Sequence, residues 1–180
     1  MDPERAASIR LLCLDVDGVL TDGRIILDGD GCESKVFHVH DGMGIRLWQD
    51  AGHAVAIITS RSSQAVSVRA TELGITHLHQ GVKNKHEALQ QVLKDTGMSS
   101  SETAAVGDDL ADLPMLASVG FPVAVANAVA EVKSTAVHVT MNSGGEGAIR
   151  ELIEDLLRTQ GRWDALVEAR MNKALPLQEH

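Results

Sequence analysis

Short apolar runs alternate along the chain with longer stretches whose apolar residues recur every three or four positions, the pattern of a βαβ chain. The runs predict strands over 9–14, 55–59, 76–79, 103–106 and 123–126, with a weaker one over 137–139. The periodic stretches predict helices over 43–51, 63–73, 85–96, 110–117, 130–134 and 146–159. Gly52, Gly74 and Gly97 fall just past three of these, where a left-handed residue ends a helix. Asp41, Ser62 and Asn84 stand where helix starts need a capping side chain. One stretch breaks the alternation. Residues 23–27 and 34–38 read as two strands around Asp28-Gly29-Asp30-Gly31, a hairpin turn signal. Coming directly after the first strand, this hairpin is expected to lean over that strand's C-terminal end. The polar stretch 161–180 is expected to be a tail that stays mobile until something binds it.

Composition narrows the function classes. A chain of 180 residues, 44% hydrophobic and 23% charged, fits one soluble domain with a proper core. A net charge of −9 leaves no basic surplus for nucleic acid, and 2% aromatics leave no base-stacking platform. A small anionic substrate stays open, because local cations and a metal ion override global charge. No run approaches the roughly 18 apolar residues of a membrane span. Residues 1–10 hold no apolar leader segment. The two cysteines, Cys13 and Cys32, lack metal-ligand spacing, and a reducing cytoplasm is the expected location.

In a parallel sheet, ligands gather beyond the carboxyl ends of the strands. The first strand ends in Asp15-Val16-Asp17-Gly18, and two carboxylates two residues apart point the same way. That arrangement is costly unless a cation neutralises it, and Mg2+ would leave one carboxylate free to attack phosphorus. The second strand ends in Thr59-Ser60-Arg61. Lys83 and Lys85 follow the third, and Gly107-Asp108-Asp109 follows the fourth. Each piece alone has an ordinary reading as a turn, a cap or a solvated lysine. Together, in order, they are the parts of phosphoryl transfer. Asp15 serves as nucleophile and Asp17 as general acid/base. Asp15, Asp108 and the Asp17 backbone carbonyl hold Mg2+, Thr59 and Lys85 hold the phosphoryl oxygens, and Gly18 allows close backbone approach.

The runs Asp15-Val16-Asp17-Gly18-Val19-Leu20-Thr21-Asp22-Gly23, Ile57-Ile58-Thr59-Ser60-Arg61, Gln80-Gly81-Val82-Lys83-Asn84-Lys85 and Val106-Gly107-Asp108-Asp109-Leu110-Ala111-Asp112 resemble the four motifs of the haloacid dehalogenase superfamily. More closely, the chain resembles the capless 3-deoxy-D-manno-octulosonate 8-phosphate phosphatase family. That likeness runs over about 11–160 and includes the hairpin, residues 37–42 and the late glycine cluster 144–148. It implies a Rossmann-like parallel sheet with helices on both faces, a hairpin after the first strand and no cap domain, in a single domain over 1–180. It implies Mg2+-dependent hydrolysis of that sugar acid phosphate within lipopolysaccharide biosynthesis, through an aspartyl phosphate. By the same likeness Asp15, Asp17 and Asp108 are the metal residues, Asp109 orders metal-bound waters and Asp112 supports the loop. Arg61, and Lys35 in the hairpin, face the sugar acid. The gaps of 44 positions from Asp15 to Thr59 and 26 from Thr59 to Lys85 are too short for a cap domain. Family members close their sites with neighbouring subunits, so a homotetramer is expected.

Two positions depart from the family pattern: His40 and Glu146 stand where cations are usual. Rival readings are a phosphatase for a nine-carbon, sialic-acid-like keto acid, a phospho-receiver signalling domain and a silent oligomerisation module. His38 with His40, and His77 with His79, read as same-face strand pairs expected at solvent or an interface rather than on zinc. Gly144-Gly145-Glu146-Gly147 reads either as an anion cradle or as a hinge. Trp48 and Trp163 read as packing residues.

Overall fold

Every residue of β1 (Leu11–Leu14) is apolar and buried, as a strand flanked by parallel neighbours and covered on both faces must be. In the computed structural model, which describes residues 2–174, β1 lies between β4 (Ala54–Ile58) and β6 (Thr103–Gly107). Outside these lie β5 (His77–His79) on one side, and β7 (Phe121–Ala124) and β8 (His138–Val139) on the other. The sheet order is β5-β4-β1-β6-β7-β8, all parallel. The register sets Leu14 against Ile57 and Val106, so the segments after β1, β4 and β6 emerge along one edge. A separate antiparallel ribbon, β2 (Ile26–Leu27) with β3 (Glu33–Ser34), forms the hairpin. No cap domain is present among the described residues, and none of their helices is long and apolar enough to cross a membrane.

The helices are α1 (Pro3–Ser8), α2 (Val39–Asp50), α3 (Gln64–Leu73), α4 (Lys85–Thr96), α5 (Leu113–Leu116), α6 (Ala130–Thr135), α7 (Ala148–Thr159) and α8 (Trp163–Ala174). α7 shows the clearest helical period: Ala148, Ile149, Leu152, Ile153, Leu156 and Leu157 are all buried. Asn84 caps α4 by accepting from the His86 and Glu87 amides, and Gly74 and Gly97 end α3 and α4 in the left-handed conformation, all as the sequence predicts.

Several boundaries differ from expectation. α2 begins at Val39, four residues early, so His38 is its N-cap and His40 lies in its first turn rather than on a strand. The hairpin strands are correspondingly short. Asp28 Oδ1 accepts from the amides of Asp30 and Cys32, which closes the loop and leaves only two paired positions per strand. Asp41 does not start its own helix. Its Oδ1 accepts from the Arg150 amide at 2.8 Å and so satisfies the start of α7, whose N-cap Gly147 has no side chain to offer. Ser63, not Ser62, precedes α3. The helix expected over 110–117 is a 3-10 turn, Leu110–Asp112, followed by the single turn of α5, where Pro114 withholds a backbone donor. Two helices were not anticipated. α1 is short, though Asp2-Pro3 is a recognisable cap-and-first-turn pair. α8 occupies most of the expected tail and packs on α7; its remainder, 175–180, lies outside the described residues.

One buried residue makes stability pH-dependent. His53 packs on Trp48 with ring centroids 4.2 Å apart, and its Nε2 lies 2.8 Å from Gln160 Oε1. Gln160 in turn donates to the carbonyls of Ile9 and Ala6. Burial, together with the charges of Arg10 and Arg162, pushes the His53 pKa below its usual 6.5. The unfolded chain therefore binds the proton more readily. This contribution is complete above about pH 6.5 and is lost as the pH falls below it. Between pH 7.5 and 5.5 the thermal midpoint of the wild type is expected to fall relative to that of His53→Gln, a difference that isolates this ring from the acid groups titrating in the same range.

Candidate active site

Asp15 and Thr59 follow directly on β1 and β4, Asp108 on β6, and Lys85 opens α4, so the sheet edge brings all four to one cleft of about 310 Å³. The cleft is also lined by Asp17, Arg61, Asp109 and Asp112. Asp15 is 5% exposed and Lys85 4%. Lys85 Nζ donates at 2.6 Å to Asp15 Oδ1 and at 2.6 Å to Asp112 Oδ1. Asp112 Oδ2 accepts from the amides of Asp108 at 2.9 Å and Asp109 at 3.3 Å. Asp112 therefore holds the Asp108 loop and the lysine at once. Asp109 is exposed and caps the 3-10 turn through its Oδ1, which accepts from the Leu110 amide. Thr59 is buried at the cleft wall, and its hydroxyl makes no hydrogen bond among the described residues.

Carboxylate oxygens of Asp15, Asp108 and Asp112 lie within 4.8 Å of one another. Burial, then the Asp112 charge, raises the Asp15 pKa to about 6 against the pull of Lys85. Burial, then Asp15, Asp112 and Asp109, raises Asp108 to about 7. For Lys85, burial works to lower the pKa, but its two carboxylate partners outweigh it and hold it above the usual value. One ammonium does not balance this many acids. Asp112 is occupied by Lys85 and two amides, so Asp15 and Asp108 are the carboxylates left for a cation. The donors are all oxygen, the set a hard divalent ion takes. The one other such group among the described residues, His138 with Glu151 and Asp155, lies on β8 and α7 outside the cleft. Among the described residues, neither His38 with His40 nor His77 with His79 joins a group of three such side chains.

The loop after β1 is shaped by two close approaches. Gly18 has φ +93°, and a side chain there would strike the Asp108 carboxylate. On the other side, Gly144 stands so close that a side chain would strike the Gly18 carbonyl, while the Gly145 amide donates to Val19 O at 3.0 Å. The late glycine cluster thus does not offer these amides to an anion: it packs against the loop after β1, and the Gly144 amide is taken by Asn127 Oδ1.

The hairpin does lean over the cleft. Lys35 Nζ donates to Asp17 Oδ1 and lies 3.3 Å from Glu33 Oε1; its side chain is 1% exposed. It is therefore not the solvated edge lysine that is the ordinary alternative at such a position. Arg61 donates from Nη2 to Glu33 Oε1 at 2.6 Å, and its Nε is 3.8 Å from Asp17 Oδ2.

A profile for haloacid dehalogenase-like hydrolases matches residues 78–152. The 3-deoxy-D-manno-octulosonate 8-phosphate phosphatase KdsC of Escherichia coli (strain K12) is 46% identical over 160 residues, covering 89% of this chain and 85% of that protein. This chain belongs to the 3-deoxy-D-manno-octulosonate 8-phosphate phosphatase family. Among solved structures, the phosphatase of that name from Moraxella catarrhalis, in complex with magnesium, phosphate and KDO, is similar with a TM-score of 0.90. It is 40% identical, with 93% of this chain and 97% of that one covered. The cobalt-bound Haemophilus influenzae phosphatase has a TM-score of 0.88 at 38% identity, with 92% and 97% covered.

Family membership removes the receiver and silent-module readings. Of the predicted site residues, Asp15, Asp17, Thr59, Arg61, Lys85, Asp108 and Asp109 line one cleft; Gly18 lies behind it and Lys35 at its hairpin rim. His40 and Glu146, the two departures from the family pattern, line a second cleft of about 360 Å³ with His38 and Arg150, which shares no lining residue with the first. Sequence reasoning missed Glu33. The strand predicted over 34–38 begins one residue too late to include it; extended back by one position, it would have put Glu33 on the same face as Lys35.

Proposed function

We propose that this cleft hydrolyses 3-deoxy-D-manno-octulosonate 8-phosphate to the free sugar acid and phosphate, a step of lipopolysaccharide biosynthesis. The reading is carried by the convergence of Lys85 and Asp108 on the buried carboxylate of Asp15. Asp15 attacks phosphorus and the ester P–O bond breaks, leaving an aspartyl phosphate. Asp17 gives its proton to the departing alkoxide. It then takes one from the water that attacks the aspartyl phosphate, which releases phosphate and restores Asp15. Thr59 and Lys85 hold the phosphoryl oxygens, and Arg61 faces the sugar acid. Asp15, Asp108 and the Asp17 carbonyl would hold magnesium, which would supply the positive charge that this acid cluster lacks.

A phosphate-release screen over phosphorylated sugars, with and without Mg2+, tests the proposal. The eight-carbon acid is expected to give the highest kcat/KM, and EDTA to abolish turnover. A higher value for the nine-carbon acid would move the substrate assignment. Mg2+ is also expected to raise the thermal midpoint of the wild type but not of Asp108→Asn, a readout independent of turnover.

The hairpin exposes Ile25, Ile26, Leu27 and Val36, an apolar ribbon that needs a cover. This supports the proposed homotetramer; light scattering should give four times the 19.2 kDa chain mass. A monomer at micromolar concentration would refute it. The free thiols of Cys13 and Cys32 support a reducing cytoplasm as its place of action, and extraction of the native protein with the periplasmic fraction would refute that.

A further inference from the structure

The ionic cluster at the cleft rim contains two residues that the proposed reaction does not use, Glu33 and Lys35. Glu33 sits on β3 with its side chain 13% exposed. Its Oε1 accepts from Arg61 Nη2 at 2.6 Å and lies 3.3 Å from Lys35 Nζ. Burial pushes its carboxyl up, but the hydrogen bond from Arg61 and the nearness of Lys35 outweigh this and hold it below the usual carboxylate range.

The two cations it meets differ. The Lys35 side chain is 1% exposed, spent on Asp17 and Glu33, and is absent from the cleft lining. The Arg61 side chain is 45% exposed, lines the cleft, and keeps Nη1 without a partner among the described residues. A guanidinium is a planar fork, so engaging Nη2 fixes the direction of the remaining edge. An arginine without that tether samples many rotamers, and ordering one on binding costs about 0.5–1.5 kcal/mol before any geometric loss.

We propose that Glu33 is a positioning residue for substrate selection: it orients Arg61 so that the free guanidinium edge meets the carboxylate of the sugar acid. This rests on the substrate class proposed above. Glu33 touches neither the phosphoryl group nor Asp15. Its effect should therefore appear in binding of an acid-bearing substrate and not in the chemistry. In the same geometry Lys35 is a strut between hairpin and Asp17 rather than a substrate ligand.

The test is steady-state kinetics of Glu33→Gln, Arg61→Ala and the double variant, with two esters: 3-deoxy-D-manno-octulosonate 8-phosphate and p-nitrophenyl phosphate, which has no carboxylate. Glu33→Gln is expected to raise KM for the sugar acid about tenfold and to leave its kcat within threefold. KM for p-nitrophenyl phosphate should stay within twofold. In the Arg61→Ala background, adding Glu33→Gln should change KM for the sugar acid by less than twofold, because the residue it acts through is gone. Equal KM increases for both esters, a loss carried by kcat, or independent effects in the double variant would each overturn the proposal. Wild-type turnover of p-nitrophenyl phosphate with no preference for the sugar acid would instead show that the substrate assignment had failed, and this inference would fall with it.

Discussion

Asp15→Asn is expected to release phosphate on the order of 10⁴-fold more slowly than the wild type while keeping its fold. The amide matches the carboxylate in shape but does not accept a phosphoryl group, so the covalent route closes. It also removes one negative charge from a crowded cluster. Burial and the Asp112 charge already hold the Asp15 pKa up at about 6, so ionising it costs the folded state. Against that, Lys85 loses one of its two partners. These effects oppose each other, so the metal-free thermal midpoint should move by only a few degrees. Activity within tenfold of wild type would mean that water attacks phosphorus directly and that Asp15 only holds the ion.

Lys85→Ala is expected to damage both stability and turnover. Its ammonium is buried and donates 2.6 Å bonds to two buried carboxylates, Asp15 and Asp112. Removing one partner of a buried pair leaves uncompensated charge, at a cost of about 3–5 kcal/mol. For a chain of this size that lowers the melting midpoint by roughly 10 °C. Loss of a charged group that neutralises the transferring phosphoryl should slow turnover by about 10²–10³-fold. Added Mg2+ should restore part of the melting midpoint, since it answers the same excess of negative charge, but not the rate. A midpoint unchanged from wild type in calorimetry would show that Asp15 and Asp112 do not depend on this lysine.

The cluster of acids and lysine that converges in the cleft was legible in the sequence because each member is tied to a strand end or helix start that hydrophobic patterning marks well. Asp15 and Asp17 follow four buried apolar residues, and Lys85 follows a clear Asn84 cap. What failed was local choice between competing partners. Asp41 looks like a cap for its own helix, yet its carboxylate serves α7, more than 100 residues on. Residues 35–38 carry strand-like alternation, but the closed loop at Asp28 takes up the residues that longer pairing would need. The glycine cluster gives the same signal whether it hinges, cradles or packs, and only the nearness of Gly18 decides. Glu33 was hidden because its partner Arg61 is 28 positions away on another element.

The wedge of Gly144 and Gly145 against the loop at residues 18–22 has a consequence for biosynthesis. A growing polypeptide exposes Asp15, Thr59, Lys85 and Asp108 to solvent well before the segment that braces the turn after Asp15 has left the ribosome. Gln160, which ties together backbone from Ala6 and Ile9 with the ring of His53, emerges later still. Nascent chains halted short of residue 144 should therefore carry every reactive group and still be incompetent. Activity would switch on late in translation, as the last turns of α7 dock, rather than accumulate gradually.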